Sequence, residues 1–136
     1  MKNSLNKSII ERYSRQIVLK DVGVVGQKAI INSKVLIIGA GGLGCPITDY
    51  LSRAGVGTIG IADYDKVSLS NIHRQSLYDS MDVGKFKVNV LKQKIKLINP
   101  LIKAIKSIPE EPFVLYDGNW TFGSSFLTKT FTIKLI

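Results

Sequence analysis

The sequence predicts an α/β domain with a mostly parallel sheet and flanking helices, and three observations carry that expectation. Lys34-Val35-Leu36-Ile37-Ile38 is an apolar run without alternation, as in a parallel strand covered on both faces. It feeds into Gly39-x-Gly41-x-x-Gly44, after which Leu43, Ile47, Tyr50, Leu51 and Ala54 recur at helical spacing. Thr58 to Ala62 then reads as a second strand with Asp63 at its carboxyl end. Strand, glycine turn, helix, strand and acid in this order make a Rossmann-like unit.

The remaining elements follow from periodicity. Between residues 9 and 19, Ile9, Ile10, Tyr13, Ile17 and Val18 fit one helical face, with Arg12 and Arg15 on others. Asp21-Val22-Gly23 breaks that element, and residues 25–31 read as a short helix leading into the first strand. Pro46 suits the first turn of the helix after the glycines, where a missing N–H costs nothing. Gly55-Val56-Gly57 stops that helix. From Val83 onward, Val88, Leu91, Ile95 and Ile98 form a stripe, with Lys85, Lys87, Lys92, Lys94 and Lys96 on other faces, mostly as solvated lysines. Asn99-Pro100 ends this helix, and residues 101–108 read as a third strand with Ile102, Ala104 and Ile108 among its apolar positions.

Composition bounds the function. With 136 residues, 45% hydrophobic and 21% charged, the chain suits one soluble globular domain. Its apolar stretches are too short to span a bilayer, so no membrane role is expected. Residues 1–8 lack the apolar core of a signal peptide, which points to the cytoplasm. Cys45 stands alone, which excludes an internal disulfide and a cysteine-only zinc site. The net charge of +9 comes from scattered lysines without a nucleic-acid motif; it suits an anionic nucleotide or an acidic partner rather than nucleic acid.

The glycine turn brings a helix N-terminus up to a phosphate. Gly39 serves the sharp turn, Gly41 the close backbone approach, and Gly44 the packing of helix on strand. Asp63 lies nineteen residues after Gly44, where such a unit places its ribose-binding carboxylate. The loop Asp63-Tyr64-Asp65-Lys66-Val67-Ser68-Leu69-Ser70-Asn71-Ile72-His73-Arg74-Gln75 is denser in polar and cationic groups than a dehydrogenase needs. Its Ser, Asn and Arg suit a triphosphate. His73, the single histidine, has no Cys or second His near it in sequence and is assigned no metal or acid/base role.

Arg12-Tyr13-Ser14-Arg15-Gln16, Gly39-Ala40-Gly41-Gly42-Leu43-Gly44, Asp63-Tyr64-Asp65 through Ser70-Asn71-Ile72-His73-Arg74-Gln75, Val83-Gly84-Lys85-Phe86-Lys87 and Asn99-Pro100 together resemble the ThiF/MoeB/HesA family, relatives of the ubiquitin-activating enzymes. The resemblance implies ATP-dependent adenylation of the C-terminal glycine of a ubiquitin-like sulfur carrier protein of the thiamine or molybdopterin type. Carried over by motif, Gly39, Gly41, Gly42, Gly44, Asp63, Asp65, Ser70, Asn71, Arg74 and Lys87 form the nucleotide site. Asp63 holds the ribose, while Asn71, Arg74 and Lys87 contact phosphates. Arg74, Lys87 and Arg15 carry the catalytic duty. The same resemblance implies a homodimer in which Arg15 would reach across the interface to the partner subunit's ATP.

The resemblance covers residues 10–108, so residues 1–108 are expected to form a partial ThiF-type domain, truncated after about three strands, and 109–136 a divergent tail. Magnesium is implied, but its aspartate is not found, and Asp117 stands in a different context. The tail from Phe113 to Leu127 faintly resembles the opening of the DCC thiol-disulfide oxidoreductases. Trp120 and Gly123 replace both cysteines, so no dithiol exchange follows. Two other readings stay open: a non-catalytic nucleotide-binding module, and an NAD-dependent dehydrogenase domain, against which the cationic loop argues.

Overall fold

Three parallel strands form the centre: β1 (Lys34–Ile38), β2 (Thr58–Ala62) and β3 (Lys103–Ser107), in the spatial order β1-β2-β3. The computed structural model describes residues 5–107. Val35 pairs with Ile59 and Ile37 with Ile61, while Ile59 pairs with Ala104. The middle strand is the most enclosed, with Ile59, Gly60, Ile61 and Ala62 all buried. Its continuous apolar text is what a strand flanked and covered in this way requires. The fold is therefore the Rossmann-like α/β arrangement that the sequence predicts.

Helices fill the crossovers. Before the sheet come α1 (Lys7–Arg12), α2 (Ser14–Ile17) and α3 (Gly23–Asn32); α4 (Gly44–Ala54) joins β1 to β2, and α5 (Lys87–Ile98) leads into β3. The core gathers Ile37, Val56, Ile59, Ile61, Val88, Leu91, Ile95 and Ile102, with α4 and α5 packed on each other and on the sheet.

The structure departs from the periodicity at several points. The single helix read over residues 9–19 is two short helices, broken at Tyr13 (φ −107°, ψ 16°). Its apolar face is not uniformly packed: Tyr13 is buried, whereas Ile10 and Val18 are exposed. The break lets Tyr13 turn inward, where its hydroxyl accepts a hydrogen bond from Asn99 Nδ2 (2.8 Å). The helix read from Val83 begins at Lys87, because Gly84 has φ 86° and Phe86 is extended, bridging to Lys66. Lys87 is not a solvated lysine; it is 4% exposed. The third strand starts at Lys103 rather than at 101, and Ile108 and the tail lie outside the described residues.

The most informative departure concerns α4. Its apolar repeat faces largely outward: Leu43, Ile47 and Tyr50 are exposed, at 81%, 47% and 71%, and only Leu51 packs against the core. The buried side is Gly44, Cys45, Thr48 and Ser52. Thr48 Oγ1 donates to Gly44 O (2.7 Å) and Ser52 Oγ to Thr48 O (2.6 Å), so the buried hydroxyls satisfy themselves on their own helix. Small residues on that side allow close packing. A side chain on Gly44 would overlap the Gly39 carbonyl. At the other end Gly55 takes φ 92°, and the N–H of Val56 returns to Leu51 O, closing α4 with a left-handed cap.

Candidate functional site

The glycine turn sits at the carboxyl end of β1 and opens α4. Gly39 adopts φ 89°, a conformation that suits glycine, and its N–H donates to Ala62 O (2.8 Å). Ala40 N–H donates to Asp63 Oδ2 (2.6 Å), and Gly41 O accepts from Cys45 N–H (2.9 Å). The N–H groups of Gly41, Gly42 and Leu43 have no hydrogen-bond acceptor among the described residues. Among the described residues nothing lies within 4 Å of a Cβ position on Gly42, and only Gln75 Nε2 lies near one on Gly41, at 3.8 Å. Free N–H groups over open space at the start of an eleven-residue helix suit an anion.

Asp63 links this turn to the cationic loop. It is 8% exposed. One carboxylate oxygen takes Ala40 N–H, and the other takes Asp65 N–H (2.7 Å). Asp65 in turn accepts from Lys87 Nζ (2.7 Å), and Asp65 O accepts from Lys87 N–H (3.0 Å). A continuous chain of hydrogen bonds therefore runs from the glycine turn through Asp63 and Asp65 to the buried Lys87. Each Asp63 oxygen still holds an unused lone pair.

Ser70 and Asn71 lie in one short turn, Leu69–Asn71, and Arg74 folds back onto it. Ser68 N–H donates to Asn71 Oδ1 (3.2 Å), Ser68 and Ser70 hydroxyls meet at 2.9 Å, and Arg74 Nη1 donates to Ser70 O (2.8 Å). Ser70 and Arg74 are exposed. Arg15 lies apart, on α2. Three neighbours in the motif are engaged: Arg12 donates to Ile98 O (3.2 Å), Tyr13 accepts from Asn99, and Gln16 donates to Ala54 O (3.3 Å). Arg15 alone of these long side chains is exposed without a bond to a described residue.

One buried group beneath the turn, Tyr78, escapes sequence reading. Tyr78 donates to Ala40 O (2.8 Å), with Cys45 Sγ 3.6 Å from the same oxygen. Burial pushes the Tyr78 phenol and the Cys45 thiol upward, so both stay protonated. Gln75, 3% exposed, leaves its Oε1 without a partner among the described residues. Gln75 closes a motif that the sequence does show, whereas Tyr78 carries no periodic or spacing signal. Magnesium is implied by the family resemblance. Among the described residues no three His, Cys, Asp or Glu side chains converge, and Asp65 is paired with Lys87. The described residues do not fit a protein-built magnesium cage.

Fold and glycine turn together define a Rossmann-like α/β domain. The ThiF family profile matches residues 13–119, and the chain belongs to that family. It is 54% identical over 95 residues to the adenylyltransferase and sulfurtransferase MOCS3 of Caenorhabditis briggsae, covering 70% of this chain and 24% of that protein. Among solved structures it resembles PaaA, at 34% identity and TM-score 0.71, over 79% of this chain and 36% of that one. It also resembles Escherichia coli MccB crystallised with ATP, at 29% identity and TM-score 0.67, over 78% and 32%. The chain spans about a quarter of the length of the curated relatives it matches.

Proposed function

We propose that this chain supplies the nucleotide half of an adenylyltransferase site, using ATP to activate the C-terminal glycine of a ubiquitin-like sulfur carrier protein in the cytoplasm. The observation that carries the reading is the hydrogen-bonded chain from the glycine turn through Asp63 and Asp65 to Lys87. It ties the free N–H groups to the cationic loop as one unit. Similarity to an adenylyltransferase and to an ATP-bound structure supports ATP as the nucleotide.

In this reading the carrier's carboxylate oxygen attacks the α-phosphorus, the bond to the β-phosphate oxygen breaks, and pyrophosphate leaves with that electron pair. The product is an acyl-adenylate. Positioning and charge stabilisation dominate such a step. The Gly41 and Gly42 N–H groups cradle phosphate oxygens. Asp63 uses its unused lone pairs for the ribose hydroxyls. Arg74 exchanges its bond to Ser70 O for phosphate, with Asn71 and Ser70 beside it, and Lys87 supplies a buried cation oriented by Asp65. Arg15, without a bond to any described residue, reaches the ATP of a second copy in a homodimer.

The test is titration with ATP and NAD in parallel, followed by ATP–pyrophosphate exchange with a sulfur carrier protein. Preferential ATP binding with carrier-dependent exchange is expected. Preferential NAD binding overturns the reading, and ATP binding without exchange reduces it to a nucleotide-binding module.

A further inference from the structure

Ala40, the residue between the first two glycines, is held from both sides. Its N–H donates to Asp63 Oδ2, and its carbonyl accepts from the Tyr78 hydroxyl. Asp63 is accounted for by the nucleotide reading, but Tyr78 is not. The ring is buried, at 4% exposure, and thirty-eight residues separate the hydroxyl from its acceptor. A phenol placed there by the fold is more than local capping.

The consequence follows from peptide geometry. A trans peptide is planar, with its C=O and N–H on opposite sides, and the described residues contain no cis bond. Directing Ala40 O inward to Tyr78 therefore directs Gly41 N–H outward, where it meets no acceptor among the described residues. Glycine by itself puts little barrier on the alternative orientation of this peptide. In that alternative a carbonyl oxygen faces the cradle and repels an anion. Cys45 Sγ is a weak donor at 3.6 Å and cannot replace a phenol at 2.8 Å.

We propose that Tyr78 is a positioning residue for phosphate binding: its hydroxyl fixes the Ala40–Gly41 peptide so that the Gly41 N–H faces the nucleotide's phosphates. This rests on the nucleotide reading above. Burial keeps the phenol protonated, so it remains a donor throughout the working pH range.

The test uses the full chain and Tyr78→Phe, which keeps the ring and removes the hydroxyl. Affinities for ATP and for adenosine are measured by calorimetry, and the Gly41 amide resonance is followed during both titrations. In the native chain that resonance is expected to move with ATP and not with adenosine. In Tyr78→Phe, ATP affinity is expected to fall about tenfold, one hydrogen bond's worth, with adenosine affinity unchanged and the ATP-induced shift lost. Equal weakening of both ligands, or unchanged ATP affinity, overturns the proposal while leaving the nucleotide site standing. A native Gly41 resonance indifferent to bound ATP overturns it even where the variant does not fold. Failure of the native chain to bind ATP at all removes the nucleotide reading and this inference together.

Discussion

Asp63 shows how one side chain serves architecture and ligand at once. Its two oxygens hold the N–H groups of Ala40 and Asp65 within the folded chain, and in the proposed site its remaining lone pairs take the ribose. Asp63→Ala leaves one buried and one half-buried backbone donor unpaired, and is expected to lower stability by about 2–4 kcal/mol, measured by urea unfolding. Arg74 is different. It is exposed, and its one side-chain bond among the described residues is to Ser70 O, so Arg74→Ala is expected to change stability by less than about 0.5 kcal/mol while weakening ATP binding. Loss of stability in both variants, or in neither, would contradict this division.

At the scale of elements, the glycine turn and the strands were legible because their signals are local. An apolar run that ends in glycines at this spacing folds as strand and tight turn with little help from the rest of the chain. The orientation of α4 was not legible, although its helical period was. Leu43, Ile47 and Tyr50 make the more hydrophobic side, yet the packed side is Gly44, Cys45, Thr48 and Ser52. Hydropathy fixes a period, but close approach to the turn decides which side goes in, and only small residues permit that approach. Gly44→Ala tests this directly: its methyl would overlap the Gly39 carbonyl, and a loss of about 3 kcal/mol or more is expected in thermal or urea unfolding.

The Leu69–Asn71 turn and Lys87 were legible as motifs, whereas the bonds each makes were not: Arg74 rests on the Ser70 carbonyl and Lys87 on the Asp65 carboxylate, partners that only the folded backbone brings into reach. A second element-scale contact joins Asp79, at the start of the Ser80–Asp82 turn, to Lys94 on α5 at 2.9 Å. The Lys94 ammonium holds the Asp79 carboxyl below its usual range, and Asp79 holds Lys94 above its usual range. The lowered carboxyl contributes stability above the ordinary aspartate pKa, lost as pH falls through the depressed value. The raised ammonium contributes below the ordinary lysine pKa, lost as pH rises through the elevated one. The stability difference between the native chain and Lys94→Met is therefore expected to be level near neutrality and to shrink at both extremes, and to shrink further in salt.

For the whole molecule, the informative residue is Arg15. Arg12, Tyr13 and Gln16 dock the N-terminal helices onto the rest of the domain, which leaves Arg15 free of that task. Arg15→Ala should therefore unfold like the native chain. If the arginine serves a second copy, mixing Arg15→Ala with Arg74→Ala rebuilds one intact site in each mixed dimer, and about a quarter of native exchange activity returns at equal mixing. Mixtures that stay inactive would place Arg15 in its own subunit's chemistry or outside it altogether.

The contact between Tyr13 and Asn99 also governs time. The two partners are 86 positions apart in sequence, and the same Asn99 amide donates to Ser52 O (3.1 Å). The first helices cannot take their final place until α5 exists and has been closed onto α4. Such long-range closure slows folding relative to the local helices and crossovers that it joins. During synthesis the N-terminal arginine motif waits, unfixed, for nearly the whole described chain to emerge. Asn99→Ala is accordingly expected to speed unfolding in denaturant-jump experiments far more than it slows the early collapse, as befits a latch that closes last.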